Sequence, residues 1–191
     1  AETGYQETKI IMDGATRDGV GGGVCQVSTT LFRAAFYAGM PIVERYAHGY
    51  RVPYYEQGGV PPGLDATVFS PAVDLKFRND TGAWVLIESE SDARNATVTF
   101  RFYGTPIAPG VTLEGPTIGR QVPPPAPRIE VDPSLAPGEA KVLEYARSGA
   151  SVSVTRVITQ AGAETREVFY SAYRPTGLLT AVSPLDAAAQ P

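Results

Sequence analysis

The sequence predicts an α+β fold in two parts. In the first domain, over 1–105, a helix entered from a glycine loop packs on an antiparallel sheet; a proline-rich linker over 106–127 then leads to a small, elongated all-β domain over 128–185, with a frayed tail at 186–191. Three observations carry this reading. Gly21-Gly22-Gly23 opens directly onto apolar residues spaced three and four apart, which is helical periodicity. Nine prolines fall between Gly104 and Pro137, where a helix interior or central strand would lose its backbone donors. Val98, Phe100 and Phe102 alternate along 96–103, the period of a strand.

The elements follow in order. Ile10-Ile11-Met12 is a short apolar stretch, and the loop from Asp13 through Gly23 holds five glycines and two aspartates. The helix after it presents Val27, Leu31, Ala34 or Ala35 and Ala38 as its core stripe. Gly39 stops it and Pro41 follows, the usual C-terminal punctuation. Residues 42–46 read as a strand, 61–69 as a turn leading into a strand, and 73–80, 83–88 and 96–103 as three strands of one antiparallel sheet under the helix. Beyond the linker, 139–145, 151–160 and 165–173 are β segments rich in Thr, Ser, Arg and Glu, the composition of a thin, solvated sheet that binds or spaces.

At 191 residues and 43% hydrophobic content the chain can bury real cores. A net charge of -4 with scattered Lys and Arg excludes a nucleic-acid footprint. No run approaches the ~20 apolar residues of a membrane span, so no transmembrane segment is expected in this stretch. Ala1-Glu2-Thr3-Gly4-Tyr5 has neither a starting Met nor a signal-peptide pattern, as expected of a fragment of a longer protein. A lone cysteine forms no internal disulfide and leaves the redox compartment open.

That cysteine, Cys25, falls in the first helical turn. There the helix dipole and unpaired N–H groups favour thiolate, which suits a nucleophile; a free cysteine also serves as a small apolar packing residue. Ser28 and Thr29 lie three and four residues on and share its face, either to bond a ligand or to bond back to the preceding turn. His48, the only histidine, follows a helix, a turn and a returning strand, far enough along to come back to the helix start. Tyr46, Tyr50, Tyr54 and Tyr55 surround it with Pro53, a density that suits stacking on sugars or peptides as well as packing of an irregular loop. Gly22, Gly23, Gln26, Ser28, Thr29, Tyr50 and Tyr54 form the candidate ligand-binding set. Asp65 and Asp74 either orient His48 or bond local backbone in turns, and residue context favours the turn for both. Cys25 and His48 with these carboxylates match no recognised metal spacing, so neither metal nor other cofactor is expected.

Taken together, Gly21 through Leu31, Glu44-Arg45 with His48, Gly63-Leu64-Asp65-Ala66-Thr67-Val68 and Asp74 through Asn79 resemble the VanW-like family. The segment from Val131 through Gly149, Arg156-Val157-Ile158-Thr159 and Ser171-Ala172-Tyr173-Arg174-Pro175 is similar to the G-five domain of cell-surface proteins. The resemblance implies an extracytoplasmic bacterial protein at the cell envelope whose partner is peptidoglycan or another cell-wall glycan or peptide. Two activities go with it. One is a binding or scaffolding role, with the second module as spacer. The other is thiol-dependent acyl transfer or hydrolysis similar to that of L,D-transpeptidases, with Cys25 as nucleophile, His48 moving the proton, Asp65 orienting it, and N–H groups around Gln26 and Val27 stabilising the oxyanion.

Overall fold

The chain opens as a hairpin of β1 (Glu7–Met12) and β2 (Ala15–Val20) in the computed structural model, which describes residues 4, 7–12, 15–105 and 109–188. Most of the expected glycine-rich loop is thus strand β2; Asp13 and Gly14 lie outside the described residues, as do the first three residues and Tyr5. The helix α1 (Val24–Tyr37) starts from Gly23, whose φ of 89° is left-handed and favours glycine. Its buried face is Ser28, Thr29, Phe32, Ala35 and Phe36. The expected Val27-Leu31 stripe is displaced by one position, because the two phenylalanines have far more apolar area to bury than alanines. Val27 stays exposed.

After β3 (Ile42–Glu44) the chain passes through a 3-10 stretch, Pro53–Gly59, and reaches β4 (Lys76–Phe77), which pairs with β3. The strands β5 (Val85–Asp92) and β6 (Thr97–Gly104) pair only with each other. The single three-stranded floor expected over 73–103 is therefore two separate ribbons. Asn79 accounts for the break: its side chain binds the Thr81 N–H and the Ala83 carbonyl, closing a local turn that redirects the backbone. A Phe77–Phe102 stack, 5.8 Å between centroids, links the ribbons.

The region expected as a linker is largely β7 (Gly110–Val122). It contains Pro116, which the fold tolerates because β7 is an edge strand and because Gly115 and Pro116 together face Val154 at an irregularity in the ladder, where a missing N–H costs no bond. Only 123–127, with four prolines, runs without regular structure, and 106–108 lie outside the described residues. The remaining strands are β8 (Arg128–Val131), β9 (Ala140–Glu144), β10 (Gly149–Gln160), β11 (Ala163–Tyr173) and β12 (Leu179–Val182). They form two sheets, β11-β10-β7 and β8-β12-β9. Of the expected frayed tail, Asp186 to Ala188 belong to α2 (Pro184–Ala188), where Ser183 and Asp186 bond each other; 189–191 lie outside the described residues.

The β10 sheet is not a detached, solvated spacer. Val154 joins Phe32, Phe36, Leu64 and Ala66 in one buried cluster, with Phe169 and Leu113 against it. Gly63, at a φ of 99°, lets 63–66 press on β10, where an added Cβ would lie 3.2 Å from Val152. Arg156 on β10 is wholly buried. It donates to the Phe36 and Met40 carbonyls at 2.9 and 3.0 Å, capping the end of α1, lies over the Phe36 and Phe169 rings, and pairs with Glu167. Removing it takes a donor from each of two buried carbonyls, of which Phe36 keeps the Gly39 N–H, and opens a cavity. Arg156→Ala is expected to cost about 2–4 kcal/mol in urea unfolding. Glu167→Gln, which leaves the buried guanidinium an amide oxygen in place of the carboxylate, is expected to cost less than Arg156→Ala.

Candidate active site

The thiol, the imidazole and one carboxylate come together at the start of α1. Cys25 is half-buried. Its Sγ lies 3.4 Å from Thr67 Oγ1 and 3.5 Å from the Val68 carbonyl, close enough to His48 for the imidazole to lower its proton affinity. His48 is 3% exposed. Its Nδ1 is 2.7 Å from Asp65 Oδ2, and its backbone N–H donates to the same oxygen at 2.7 Å. With Nδ1 held by the carboxylate, Nε2 is the nitrogen left for the thiol, and the Tyr55 hydroxyl stands 3.5 Å from it.

Asp65 is itself buried, 4% exposed. Its other oxygen, Oδ1, accepts from Arg45 Nη2 at 3.2 Å and from the Tyr173 hydroxyl at 2.5 Å. Burial pushes the carboxyl up, but the His48 bond, the Arg45 charge and the Tyr173 hydroxyl hold it below its ordinary value. It is therefore the charged form that faces His48. Arg45 locks the segment further, with Nε to the Asp65 carbonyl at 2.6 Å and Nη2 to the Gly63 carbonyl at 3.0 Å.

The proton affinities of the pair are inverted. Burial pushes the Cys25 thiol up, yet hydrogen bonds with His48, then Thr67 and the Val68 backbone, and the His48 charge bring it from 9.0 down to about 7. Burial pushes His48 down, yet bonds to Asp65 and Cys25 and their charges raise it from 6.5 to about 9. Between about pH 7 and 9 the proton sits on the imidazole and the sulfur is thiolate, the reactive form.

Of the expected site residues, Cys25, His48 and Asp65 are thus brought together, and Asp65 does not serve a turn. Asp74 does, accepting from the Leu75 N–H. Thr29 faces inward: its Oγ1 donates to the Ala66 carbonyl and accepts the Ala66 N–H at 3.2 and 3.0 Å, fastening α1 to the segment that carries Asp65. Tyr50 is buried with Val52 and Tyr55 beneath Arg147. Ser28 is buried, and its Oγ has no partner among the described residues. Tyr54 is exposed and packs on Tyr55. Gly22 and Gly23 offer backbone only, and the Gln26 side chain is exposed. The Gln26 and Val27 N–H groups donate to the Gly23 carbonyl at 3.0 and 3.1 Å, so they are not free for an oxyanion.

Sequence reasoning missed Arg45, Tyr55, Thr67 and Tyr173 as members of the site. Arg45 and Thr67 lie inside the quoted motifs, and Arg45, only three residues before His48, was the available signal. Tyr173 lies 108 residues from its carboxylate partner, and no local pattern links them.

A helix-start thiol paired with an imidazole, itself backed by a buried carboxylate, is the geometry of a thiol–imidazole–carboxylate site. The chain that carries it belongs to the VanW-like protein family, whose model matches residues 1–103. It is 44% identical over 96 residues to the uncharacterized protein YoaR of Bacillus subtilis (strain 168), a match covering 50% of this chain and 30% of that protein. It is 30% identical over 93 residues to the vancomycin B-type resistance protein VanW of Enterococcus faecalis (strain ATCC 700802 / V583), covering 47% of this chain and 34% of that one. The chain thus spans about a third of the length of these two relatives. A solved IgA1 protease G5 domain aligns with 39% of this chain and 90% of its own, at 19% identity and a TM-score of 0.24. Among the described residues, no helix is long and apolar enough to cross a membrane.

Because Cys25 is the only thiol, its alkylation reports on this site alone. The rate of reaction with iodoacetamide is expected to rise with pH through a midpoint near 7, and Asp65→Asn is expected to move that midpoint toward the ordinary thiol value of ~8.5 by leaving the imidazolium without its counter-charge.

Proposed function

We propose that this protein acts at the bacterial cell wall as a cysteine-dependent acyl transferase or hydrolase on the peptide stems of peptidoglycan. The observation that carries the chemistry is the gathering of Cys25, His48 and the buried Asp65 at the start of α1, with His48 Nδ1 2.7 Å from the carboxylate. The VanW-like family membership and the resistance named for the Enterococcus relative support the cell-wall setting and the extracytoplasmic location.

In this reading the Cys25 thiolate attacks the carbonyl carbon of a stem-peptide amide. The developing oxyanion takes the Cys25 backbone N–H, which lies in the first turn of α1, at the positive end of the helix. His48 Nε2–H gives its proton to the departing amine as the C–N bond breaks, leaving a thioester on Cys25. Water or an acceptor amine then attacks the thioester. Its proton passes to His48 Nε2, and the carbon–sulfur bond breaks to regenerate thiolate and imidazolium. Asp65 holds Nδ1–H throughout and keeps the ring turned toward the sulfur.

A purely scaffolding role accounts for the Arg45–Asp65–Tyr173 contacts as a structural tie but gives the half-buried Cys25 thiol no use. Burying Asp65, Arg45 and His48 together carries a desolvation cost that an apolar core would not. The test is incubation with defined muropeptides, followed by mass spectrometry. Wild type is expected to form new or cleaved cross-links. Cys25→Ala abolishes them while retaining wall binding, and Asp65→Asn slows them by on the order of 10³-fold or more. Wall binding without any product from wild type contradicts the enzyme and favours a scaffold, and product formation that persists in Cys25→Ala contradicts Cys25 as the nucleophile.

A further inference from the structure

Tyr173 closes the far side of the site from strand β11, 70 residues beyond the end of the family match. Its hydroxyl is buried. It accepts the Gly63 N–H at 3.1 Å and donates to Asp65 Oδ1 at 2.5 Å, so its single proton has one direction to point. Burial, and then the Asp65 charge, push the phenol well up and keep that proton in place. Two residues earlier, Ser171 Oγ accepts from Arg45 Nη1 at 3.0 Å, as does the Tyr170 carbonyl. The same guanidinium grips Asp65 Oδ1 and the Gly63 carbonyl. Strand β11 therefore holds the Asp65 carboxylate twice, directly through Tyr173 and indirectly through Arg45.

A carboxylate with both oxygens specified cannot rotate. Oδ1 is turned toward β11, which leaves Oδ2 facing the two His48 N–H groups. Without the Tyr173 hydroxyl, a carboxylate with almost no solvent access loses the shortest of its hydrogen bonds. Its charged form becomes costlier, and its orientation toward the imidazole loosens.

We infer that Tyr173 is a positioning residue for the Cys25–His48–Asp65 site, and hence that the β11 sheet, outside the family-matched region, is a working part of that site rather than an independent spacer. This rests on the thiol–imidazole reading given above. Positioning acts through the carboxylate on the imidazole and from there on the sulfur, so it is read as a thiolate titration and not merely as stability.

The experiment is the pH profile of Cys25 alkylation by iodoacetamide in the full chain, for wild type, Tyr173→Phe and Glu167→Gln, with folding followed by circular dichroism. Tyr173→Phe is expected to raise the midpoint by about one pH unit, which makes alkylation at pH 6 about tenfold slower than in wild type. Glu167→Gln, on the same strand but remote from Asp65, keeps the wild-type midpoint. If Tyr173→Phe does not fold, Ser171→Ala, which removes the β11 side-chain contact of Arg45, shifts the midpoint the same way by a smaller amount. A wild-type midpoint at the ordinary thiol value overturns the thiol–imidazole reading itself. A wild-type midpoint near 7 that folded Tyr173→Phe leaves in place or lowers, or that Ser171→Ala leaves in place when Tyr173→Phe does not fold, overturns the positioning role alone.

Discussion

The buried Asp65 carboxylate is the constraint on which the rest of this structure turns. A carboxylate removed from water is costly unless donors replace its hydration. Here four do: the His48 backbone and ring, the Arg45 guanidinium and the Tyr173 hydroxyl. The donors come from two distant stretches and the carboxylate from a third. His48 and Arg45 lie on the stretch after β3, Asp65 on the segment pinned to α1 by Thr29, and Tyr173 at the end of β11. Satisfying one carboxylate therefore fixes three parts of the chain relative to one another, and the thiol at the start of α1 inherits the result through His48.

The same economy explains why the two halves share one interior. Helix α1 ends on carbonyls that need donors, and Arg156 supplies them from β10 while its guanidinium stacks on Phe36 and Phe169. The start of the helix carries the reactive group and its end is capped by the second half. The sheet β11-β10-β7 thus works at both ends of α1, through Tyr173 and Ser171 near the site and through Arg156 at the far end.

Much of this site was legible in the sequence, and the reasons for the rest are specific. Cys25 could be placed because Gly23 must precede the helix and the helix period follows at once. His48 could be associated with it because a helix and a returning strand fill the intervening length. The strands at 139–145, 151–160 and 165–173 were marked by Gly149 and by Ala161-Gly162. Local patterns misled where tertiary contacts outweigh them. Pro116 argued against a strand, yet an irregular edge accommodates it. The Ala66 partner of Thr29 could not be read locally, because helical spacing says which face a residue shares and not what faces it. Tyr50 and Tyr54 are alike in sequence and opposite in burial. Tyr173 was beyond reach, since its role depends on a contact that only the folded chain creates.

Whether His48 is an imidazolium at neutral pH tests the account most directly. As the only histidine, it gives a single set of imidazole resonances, and its titration can be followed by 15N NMR in the intact chain. The expected result is an imidazolium that persists above pH 7 and titrates near 9, with Nδ1 remaining protonated at higher pH and the midpoint falling in Cys25→Ala. A titration at the ordinary value of about 6.5, unaffected by Cys25→Ala, would mean that the thiol and imidazole share no proton and would contradict the account.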